Sequence, residues 1–330
     1  MTDDPRDSPL PDHAGMLLVG RYRIKSLLGT GAMGSVWLAE HVALKREVAV
    51  KFHEQVAWQS DSASGLKRFM REVRLLSSIG HRNVIRHHES GVTPDGLPFL
   101  IMDRLHGQTL EARMREGEPL EVNEAVEIAA SLADGLEAVH HAGALHRDIK
   151  PENIFLSRDQ DGDLTPLLLD FGLARLENGG SERLTQSGHT VGTPGYMAPE
   201  QARGQTKLDA RVDVYSLGAT LYEVLSGERH VEGTTPVELL VNTASDPPIP
   251  LTDFRPDLAG PLSDALGRAL ATEADERFQT ARAMAAALRA AGSLHPGVFV
   301  ARPTRPSSHR TSAPSGPSVA QRRPSTDPVY

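Results

Sequence analysis

The first third of the chain alternates apolar and polar side chains in short runs, the pattern of half-buried β-strands. The strands predicted from this alternation, and from one short apolar run, are 22–28, 36–39, 48–51 and 99–102. Residues 64–79 instead repeat apolar side chains at helical spacing. This part of the chain is therefore predicted to contain several strands and a single helix.

From residue 121 onward the apolar period becomes that of amphipathic helices. The predicted helices are 121–141, 210–226 and 277–291, and each is followed closely by a glycine, as is common at helix C-termini. Strands with one helix, followed by a mainly helical remainder, predict an α+β fold in two lobes.

The composition changes towards both ends of the chain. Residues 1–20 are rich in aspartate and proline, which predicts a flexible acidic lead-in, and residues 292–330 have too few apolar side chains to fold, which predicts a disordered tail. The folded domain is expected over 21–291, with lobes at about 21–103 and 107–291. The tail has five arginines against one aspartate, so a docking or autophosphorylated arm is an alternative to a plain linker.

The overall charge and the cysteine content exclude several classes of function. A formal charge of −8 argues against a basic face for nucleic acid. The absence of cysteine excludes disulfides and thiolate metal sites and fits the cytoplasm. The pairs His87-His88 and His140-His141 do not share a helix face, so surface or helix-end positions are expected rather than zinc ligands. The sequence shows no signal-peptide pattern and no membrane-spanning apolar run.

A glycine-rich stretch, Gly29-Thr30-Gly31-Ala32-Met33-Gly34, lies between the first two predicted strands. Glycines in this pattern often mark only a hairpin turn. A dinucleotide fingerprint would lead into a helix and a Walker A loop would continue with Gly-Lys-Ser/Thr, and neither follows here. The remaining phosphate-binding interpretation is a glycine loop between two strands, whose backbone N–H groups approach phosphate oxygens closely.

Lys51 ends an apolar strand, and Glu72 follows on the predicted helix. An isolated lysine at a strand end commonly extends its ammonium to water. With a carboxylate partner the ammonium could instead be held towards phosphate groups, and Glu72 fits that role. Neither residue decides between the two interpretations by itself.

Residues 146–153, His-Arg-Asp-Ile-Lys-Pro-Glu-Asn, place a carboxylate, an ammonium and an amide close together. Phosphoryl transfer requires a base for the incoming hydroxyl, a cation at the γ-phosphate and oxygen ligands for magnesium. Asp148, Lys150 and Asn153 supply one of each. Asp170 follows an apolar run and offers a second carboxylate for the metal, although Asp-x-Gly after a strand is often only a turn.

In this order and spacing, the motifs resemble those of the bacterial, eukaryotic-like Ser/Thr protein kinases over residues 22 to about 290. The resemblance implies a bilobal kinase fold, with a small antiparallel sheet and one key helix in the first lobe and a larger, mostly helical second lobe. It implies ATP with Mg²⁺, or alternatively Mn²⁺, and protein substrates with Ser or Thr acceptors. Asp148 would be the catalytic base and Lys150 the γ-phosphate contact, while Asn153 and Asp170 would bind magnesium.

The same resemblance implies a nucleotide site. Lys51 would contact the ATP phosphates and pair with Glu72, under a loop that contains Gly29, Gly31 and Gly34. The residues expected around adenine are Leu28, Val36, Ala49 and Phe155, with Met102 as gatekeeper and Asp103 to Leu105 as the hinge.

Further landmarks of the family follow the catalytic loop. Ala198-Pro199-Glu200 resembles the motif that closes the activation segment, and Glu200 would pair with Arg277. Asp213 would tether the backbone of the catalytic loop. Lys150 and the segment 192–196 favour Ser/Thr over Tyr acceptors.

Two other functions share some of these features. A pseudokinase scaffold would commonly lack Lys51, Asp148 or Asp170, and all three are present. A small-molecule kinase of related fold would lack the Ala-Pro-Glu motif and the long activation segment with its many hydroxyls.

Regulation is expected to involve Arg147, which directly precedes Asp148. A buried guanidinium there would need an anion, which phosphate on the activation segment can supply. Thr185 and Ser187 lie where this family autophosphorylates. We therefore expect the enzyme to be activated by autophosphorylation in a signalling pathway. A homodimer would allow one copy of the chain to phosphorylate the other. The alternative is a solvated polar loop whose hydroxyls are not modified.

Overall fold

The computed structural model describes residues 12–31, 34–53, 70–71, 73–116, 120–159, 161–171, 194–292, 295 and 297–300. The chain forms two compact units. The first runs to residue 70 and includes 87–105, and the second comprises 71–86 and the chain from residue 106 onward. No helix in the described ranges is long and apolar enough to cross a membrane.

The first unit is built on one six-stranded sheet. Its strands are β1 (Leu17–Leu18), β2 (Tyr22–Gly31), β3 (Gly34–His41), β4 (Arg46–Phe52), β5 (His87–Val92) and β6 (Pro98–Asp103). Their order is β1-β2-β3-β4-β6-β5, and all neighbours are antiparallel. Alternation and one short apolar run predicted β2, β3, β4 and β6. They missed β5, whose sequence His-His-Glu-Ser-Gly-Val contains too few apolar residues to show the pattern.

The register of the strands divides this sheet into two faces. Trp37, Val50 and Ile101 are paired across β3, β4 and β6, and with Phe52 and Phe99 they belong to the buried apolar core. Because successive side chains of a strand alternate between faces, the residues next to them in sequence point to the opposite face. That opposite face is where the nucleotide-binding candidates lie.

The second half of the predicted lead-in belongs to the sheet. The ring of His13 stacks on Phe52, with centroids 4.1 Å apart, and Met16 packs against the apolar core. Backbone hydrogen bonds join Gly15 and Met16 to Ile24. The prediction of a flexible lead-in is therefore wrong for residues 12–20, because His13 and Leu18 are buried against an aromatic core that composition does not reveal.

The second unit contains a small antiparallel sheet and most of the helices. Its strands are β7 (Gly107–Thr109), β8 (Ile154–Arg158) and β9 (Leu164–Leu168), in that order. Its helices are α1 (Leu110–Glu116), α2 (Val122–His141), α3 (Pro199–Ala202), α4 (Arg211–Ser226), α5 (Pro236–Ser245), α6 (Leu251–Phe254), α7 (Pro261–Ala269) and α8 (Ala281–Gly292). Residues 73–77, within the predicted helix 64–79, are also helical. Short 3₁₀ turns lie at Pro151–Asn153, Pro194–Tyr196, Pro256–Leu258 and Ala274–Glu276.

Helix α4 lies in the interior of the second unit, since nearly every residue from Val212 to Ser226 is buried. A helix buried on all sides is typical of the core of a large domain. Helix α7 approaches it at Gly218, where an added Cβ would lie 2.9 Å from the Cβ of Ala269. The helix ends at Gly227, with φ of 74°. Asp213, in the first turn of α4, is therefore held in a rigid position.

The last helix begins later than its pattern predicted. The prediction was 277–291, whereas α8 spans Ala281–Gly292 and Arg277 has extended backbone with ψ of 175°. Thr280 Oγ1 accepts a hydrogen bond from the Ala283 N–H at 3.1 Å. The prediction was wrong because periodicity counts an arginine as an outward-facing residue, while the Arg277 side chain is turned into the core.

The predicted disordered tail also begins with ordered contacts. The Val122 N–H donates to the Val298 carbonyl at 2.7 Å, and the Val300 N–H donates to the Leu120 carbonyl at 2.8 Å. The prediction is therefore wrong for residues 297–300, because backbone pairing with a distant segment leaves no mark in composition. Residues 301–330 lie outside the described ranges.

Buried His230 makes the stability of the second unit depend on pH. Its Nε2 lies 2.7 Å from the Tyr215 hydroxyl, and the residue is 1% exposed. Burial, followed by the charge of Arg229, lowers the pKa of His230 to about 3. Since an unfolded histidine takes up a proton near pH 6.5, only the unfolded state binds this proton between about pH 6.5 and 3. The contribution of His230 to the free energy of unfolding is fully present above about pH 6.5. It is lost progressively as the pH falls from about 6.5 to 3.

We expect the free energy of unfolding to fall by up to about 1.4 kcal/mol per pH unit from His230 alone. Urea unfolding of wild type and of His230→Gln, which can still hydrogen-bond to Tyr215, measures this slope between about pH 7 and 5. The variant should lose that part of the pH dependence, while His141→Gln, at an exposed position of α2, should keep it. Parallel curves for wild type and His230→Gln would contradict the assignment.

Candidate active site

One face of the first unit's sheet carries the residues expected to bind a nucleotide. The register pairs Val36 with Lys51, and Ala49 with Met102. These four side chains therefore share the face opposite to the aromatic core. Lys51 is buried, with 5% exposure, which disfavours the interpretation of a strand-end lysine extended to water.

Of the three predicted loop glycines, Gly34 has a backbone conformation that favours glycine, with φ of 146°. Gly29 pairs with Val36 and Gly31 pairs with Gly34 in the β2–β3 hairpin. A Cβ added to Gly31 would meet no described atom within 4 Å. A side chain would thus be strained at Gly34 but has room at Gly31. Leu28 stands unpaired at a register shift of β2.

The predicted hinge begins at Asp103, where β6 ends. The Asp103 carboxylate accepts a hydrogen bond from Arg46 at 2.6 Å, and its Oδ1 lies 2.7 Å from Nε2 of His88. The side chain of Asp103 is therefore engaged within the first unit. The next two residues, including half-buried Leu105, have left the sheet. The predicted hinge role of residues 103–105 therefore depends on their backbone groups and not on the Asp103 side chain.

In the second unit, the catalytic-loop candidates converge on one carboxylate. Asn153 Nδ2 donates to Asp148 Oδ2 at 2.9 Å and to the Asp148 carbonyl at 2.8 Å, and Lys150 Nζ lies 3.6 Å from the same Oδ2. Both Asp148 and Asn153 are buried. Since Asn153 turns its amide nitrogen to Asp148, its amide oxygen is left for a cation, and a hard divalent cation prefers such oxygen ligands.

Asp213 holds the backbone of this loop by two hydrogen bonds. Its Oδ2 accepts from the His146 N–H at 2.9 Å and its Oδ1 accepts from the Arg147 N–H at 2.8 Å. Arg147 has φ of 64°, a conformation rare for side chains other than glycine, and these bonds stabilise it. Burial acts to raise the pKa of Asp213, but hydrogen bonding to His140 and the Arg147 N–H outweighs it and lowers the pKa.

The second metal-ligand candidate, Asp170, follows β9 and has φ of 40°. The residues on either side of Asp170, Leu169 and Phe171, both contact His146. Nε2 of His146 lies 2.7 Å from the Leu169 carbonyl, and the centroid of its ring lies 4.6 Å from that of Phe171. Burial lowers the pKa of His146, which favours the neutral ring. Phe155, proposed for the adenine site, is buried and pairs with Leu167.

Glu200 and Arg277 form a bidentate ion pair. The two terminal guanidinium nitrogens donate to the two Glu200 oxygens at 2.7 and 2.8 Å. The remaining N–H groups donate to the carbonyls of Ala271, Thr272 and Arg211. Every donor of this fully buried guanidinium therefore has an acceptor.

Sequence reasoning missed two features near the catalytic loop. His140 lies at a helix end, as expected, in the last turn of α2, but the sequence did not show that its side chain is only 9% exposed and that its Nε2 lies 2.8 Å from Asp213 Oδ2. Tyr196 donates to Glu223, and burial raises the pKa of both Glu223 and Glu152. The expectation of a surface or helix-end position is wrong for His87, which is buried in strand β5. Position in the sequence gave no signal for these contacts, because their partners lie far along the chain.

Three of the candidate residues lie outside the described ranges. They are Glu72, Thr185 and Ser187. The pairing of Glu72 with Lys51 and the phosphorylation of the two hydroxyls therefore stay predictions.

Comparison with known protein families assigns most of this chain to a family. The protein kinase domain matches residues 22–283. Among curated proteins, serine/threonine-protein kinase pkn2 of Myxococcus xanthus is 41% identical over 283 residues, covering 84% of this chain and 33% of that protein. Serine/threonine-protein kinase PknB of Mycobacterium tuberculosis is 36% identical over 274 residues, covering 82% of this chain and 43% of that protein. The chain thus spans only 33–43% of the length of these relatives.

A comparison with solved structures gives the same result for the fold. The kinase domain of Mycobacterium tuberculosis PknI aligns with a TM-score of 0.66 and 29% identity, over 84% of this chain and 99% of that chain. The likeness extends over both compact units, since it covers most of the sequence.

Proposed function

Because the chain belongs to the protein kinase family, in its bacterial eukaryotic-like Ser/Thr branch, we propose that it transfers the γ-phosphate of ATP to serine or threonine hydroxyls of proteins. The predicted family and the α+β, bilobal kinase fold class are confirmed by the family match and the structural likeness. The domain is that of an ATP-dependent Ser/Thr protein kinase. The activity, substrates and partners of the whole protein are our proposals, since the curated relatives are much longer.

The observation that carries the proposal is the arrangement at Asp148. Asn153 donates one hydrogen bond to the Asp148 carboxylate and one to the Asp148 backbone carbonyl, and Lys150 lies beside the carboxylate. The acceptor hydroxyl of the substrate loses its proton to Asp148 while its oxygen forms a bond to the γ-phosphorus. The bond from that phosphorus to the β–γ bridging oxygen breaks, and ADP leaves.

Lys150 and Lys51 provide positive charge for the transferred group in this proposal. Lys150 contacts the γ-phosphate, and Lys51 orients the other phosphates, with Glu72 as its partner. Asn153 and Asp170 would hold Mg²⁺, or Mn²⁺, because they offer oxygen donors at the end of the loop and of β9. When bound, the metal ion neutralises phosphate charge.

The adenine ring is proposed to lie against Val36 and Ala49, whose side chains share a face with Lys51. Leu28 and Phe155 complete the apolar contacts, Met102 is the gatekeeper, and the backbone of 103–105 pairs with the adenine edge. Gly29, Gly31 and Gly34 are proposed to cover the phosphates. A cytoplasmic location is proposed from the cysteine-free composition.

The activity is tested by incubating the purified chain with γ-labelled ATP, Mg²⁺ or Mn²⁺, and a general protein substrate. We expect label on serine and threonine after acid hydrolysis, and none after chelation of the metal. Label confined to tyrosine would contradict the acceptor class. No transfer by a chain that still binds ATP would favour a scaffold.

We further propose that phosphate on Thr185 or Ser187 activates the enzyme through Arg147. The support is that Arg147 is strained and adjacent to Asp148, so an anion at its guanidinium would stabilise the loop. Thr185→Ala with Ser187→Ala should lose most activity, by about tenfold or more, whereas Thr206→Ala with Thr252→Ala, outside the segment, should not. Steady-state rates and phosphosite mapping measure this, and unchanged turnover would remove the mechanism.

A further inference from the structure

The side chain of Asp103 points away from the nucleotide face of the first unit's sheet. Met102 pairs with Ala49 on the nucleotide face, whereas Asp103 pairs with Val48, which belongs to the buried apolar core. Because successive side chains of a strand alternate between faces, Asp103 meets a nucleotide through its backbone alone. Its carboxylate has no part in the chemistry of phosphate transfer, yet it is the centre of a cluster of charged side chains.

The first two residues of β4 hold the first two residues of the hinge. Nη2 of Arg46 donates to Asp103 Oδ1 at 2.6 Å. Nη1 of the next hinge residue, Arg104, donates to Oε2 of Glu47. Each of the two segments therefore contributes one cation and one anion. These ion pairs join the hinge to the same strand that carries Lys51.

A β-bulge in the edge strand β5 brings a third side chain to the same carboxylate. The register shifts between His87 and Glu89, so His88 is an extra residue in this strand. Bulges of this kind commonly re-aim a side chain beside a functional site. Nε2 of His88 lies 2.7 Å from Asp103 Oδ1, and because a carboxylate oxygen accepts, the ring donates. The His88 side chain is 18% exposed, so water screens this contact only in part.

We propose that these contacts form a clasp that holds the hinge backbone in the conformation that pairs with adenine. The hinge clasp consists of the side chains of Arg46, Glu47, His88, Asp103 and Arg104. Arg46, Glu47 and His88 are positioning residues, because they act through the hinge backbone and do not touch the nucleotide. A hinge that is already ordered loses less conformational freedom when ATP binds, which raises the affinity. The inference rests on the proposed function, since the adenine contact of the hinge belongs to it.

The hinge clasp is tested by calorimetric titration of the full chain with ATP and by steady-state kinetics. Asp103→Ala removes two of the contacts and should weaken ATP binding about fivefold, the upper range for pairs of this exposure. The effect should be on KM for ATP rather than on kcat or on KM for a peptide substrate. Adenosine, which has the adenine edge but no phosphate, should weaken as a competitor by the same factor. A loss in kcat with an unchanged KM for ATP would overturn the clasp.

Arg46→Gln is the second variant should Asp103→Ala not fold, and Arg21→Gln is its matched control. Arg46 is 56% exposed and pairs with Asp103, while Arg21 is 55% exposed and pairs with Glu89 of the same sheet. The two substitutions remove the same charge at the same exposure. ATP binding should therefore weaken about threefold in Arg46→Gln alone. Equal ATP affinity in these two variants would overturn the clasp and leave the proposed phosphate transfer standing.

An exchange of charges separates the ion pair from the identity of its residues. Glu47→Arg and Arg104→Glu should each weaken ATP binding, and the double variant, which restores a pair of reversed polarity, should recover most of the affinity. Absence of recovery would overturn the role of this pair.

Hydrogen exchange tests the clasp without nucleotide. The backbone amides of residues 104 and 105 should exchange faster in Asp103→Ala than in Arg21→Gln. Equal exchange in the two variants would overturn the clasp whether or not the chain transfers phosphate. A wild-type chain that binds ATP and labels no protein would instead contradict the proposed function alone.

Discussion

Asp148→Asn is expected to lower the rate of phosphoryl transfer by about 10²–10⁴-fold, with little change in the affinity for ATP. The substitution removes the basic oxygen but keeps the shape of the side chain, and the Asn153 amide can still hydrogen-bond to the remaining carbonyl oxygen. The effect should therefore be on kcat rather than on KM for ATP. Steady-state kinetics with a peptide substrate, and nucleotide binding by calorimetry, measure the two quantities separately.

The control for this experiment is Asp264→Asn, an exposed aspartate in the first turn of α7. Its kinetics should stay within about twofold of wild type, since surface substitutions away from a site have small effects. Retention of more than a tenth of the wild-type rate by Asp148→Asn would show that Asp148 is not the base. A parallel loss of ATP binding would assign it a structural role instead.

Arg277→Ala is expected to destabilise the fold by about 3–5 kcal/mol, the largest stability effect that we predict. The guanidinium is fully buried and donates to both oxygens of Glu200 and to three backbone carbonyls. Its removal leaves the Glu200 carboxylate, 12% exposed, without its partner. It also removes a cation that lies 4.9 Å above the Tyr215 ring. Urea unfolding gives the difference in free energy.

Arg289→Ala is the matched comparison on the surface. Arg289 is 40% exposed and lies near the carboxylates of Glu127 and Asp134, so its loss should cost about 1 kcal/mol or less. Arg277→Lys should fall between the two, because lysine keeps the charge but loses the planar fork of donors. If Arg277→Ala and Arg289→Ala were equally mild, the buried ion pair would not be holding this part of the fold.

Which residues support the catalytic loop could be seen only in the tertiary structure. The sequence placed Asp148, Lys150 and Asn153 within six positions, so their mutual contacts follow from local geometry. The support for this loop comes from residues far along the chain. Asp213 could be assigned only through the family resemblance, and His140 was missed, because the hydrogen bond between them joins two helices.

The dependence on residues far along the chain also explains the errors in the predicted boundaries of the last helix and of the two flexible ends. Arg277 was placed inside a helix because its charge suggests an outward position, whereas tertiary contacts bury it beside Glu200. Residues 12–20 and 297–300 were assigned to flexible ends, yet the first packs on an aromatic core and the second pairs with the chain before α2. Composition measures how much apolar surface a segment has, not whether a distant partner covers it.

The sequence alone determined the strands β2, β3, β4 and β6, the main helices, and the family with its chemistry. It did so because period and motif spacing are local properties of the chain. Only the tertiary structure decided which of the loop glycines has a left-handed backbone, that Lys51 is buried, and that His140 contacts Asp213. These depend on which distant residues come into contact, and no local pattern records that.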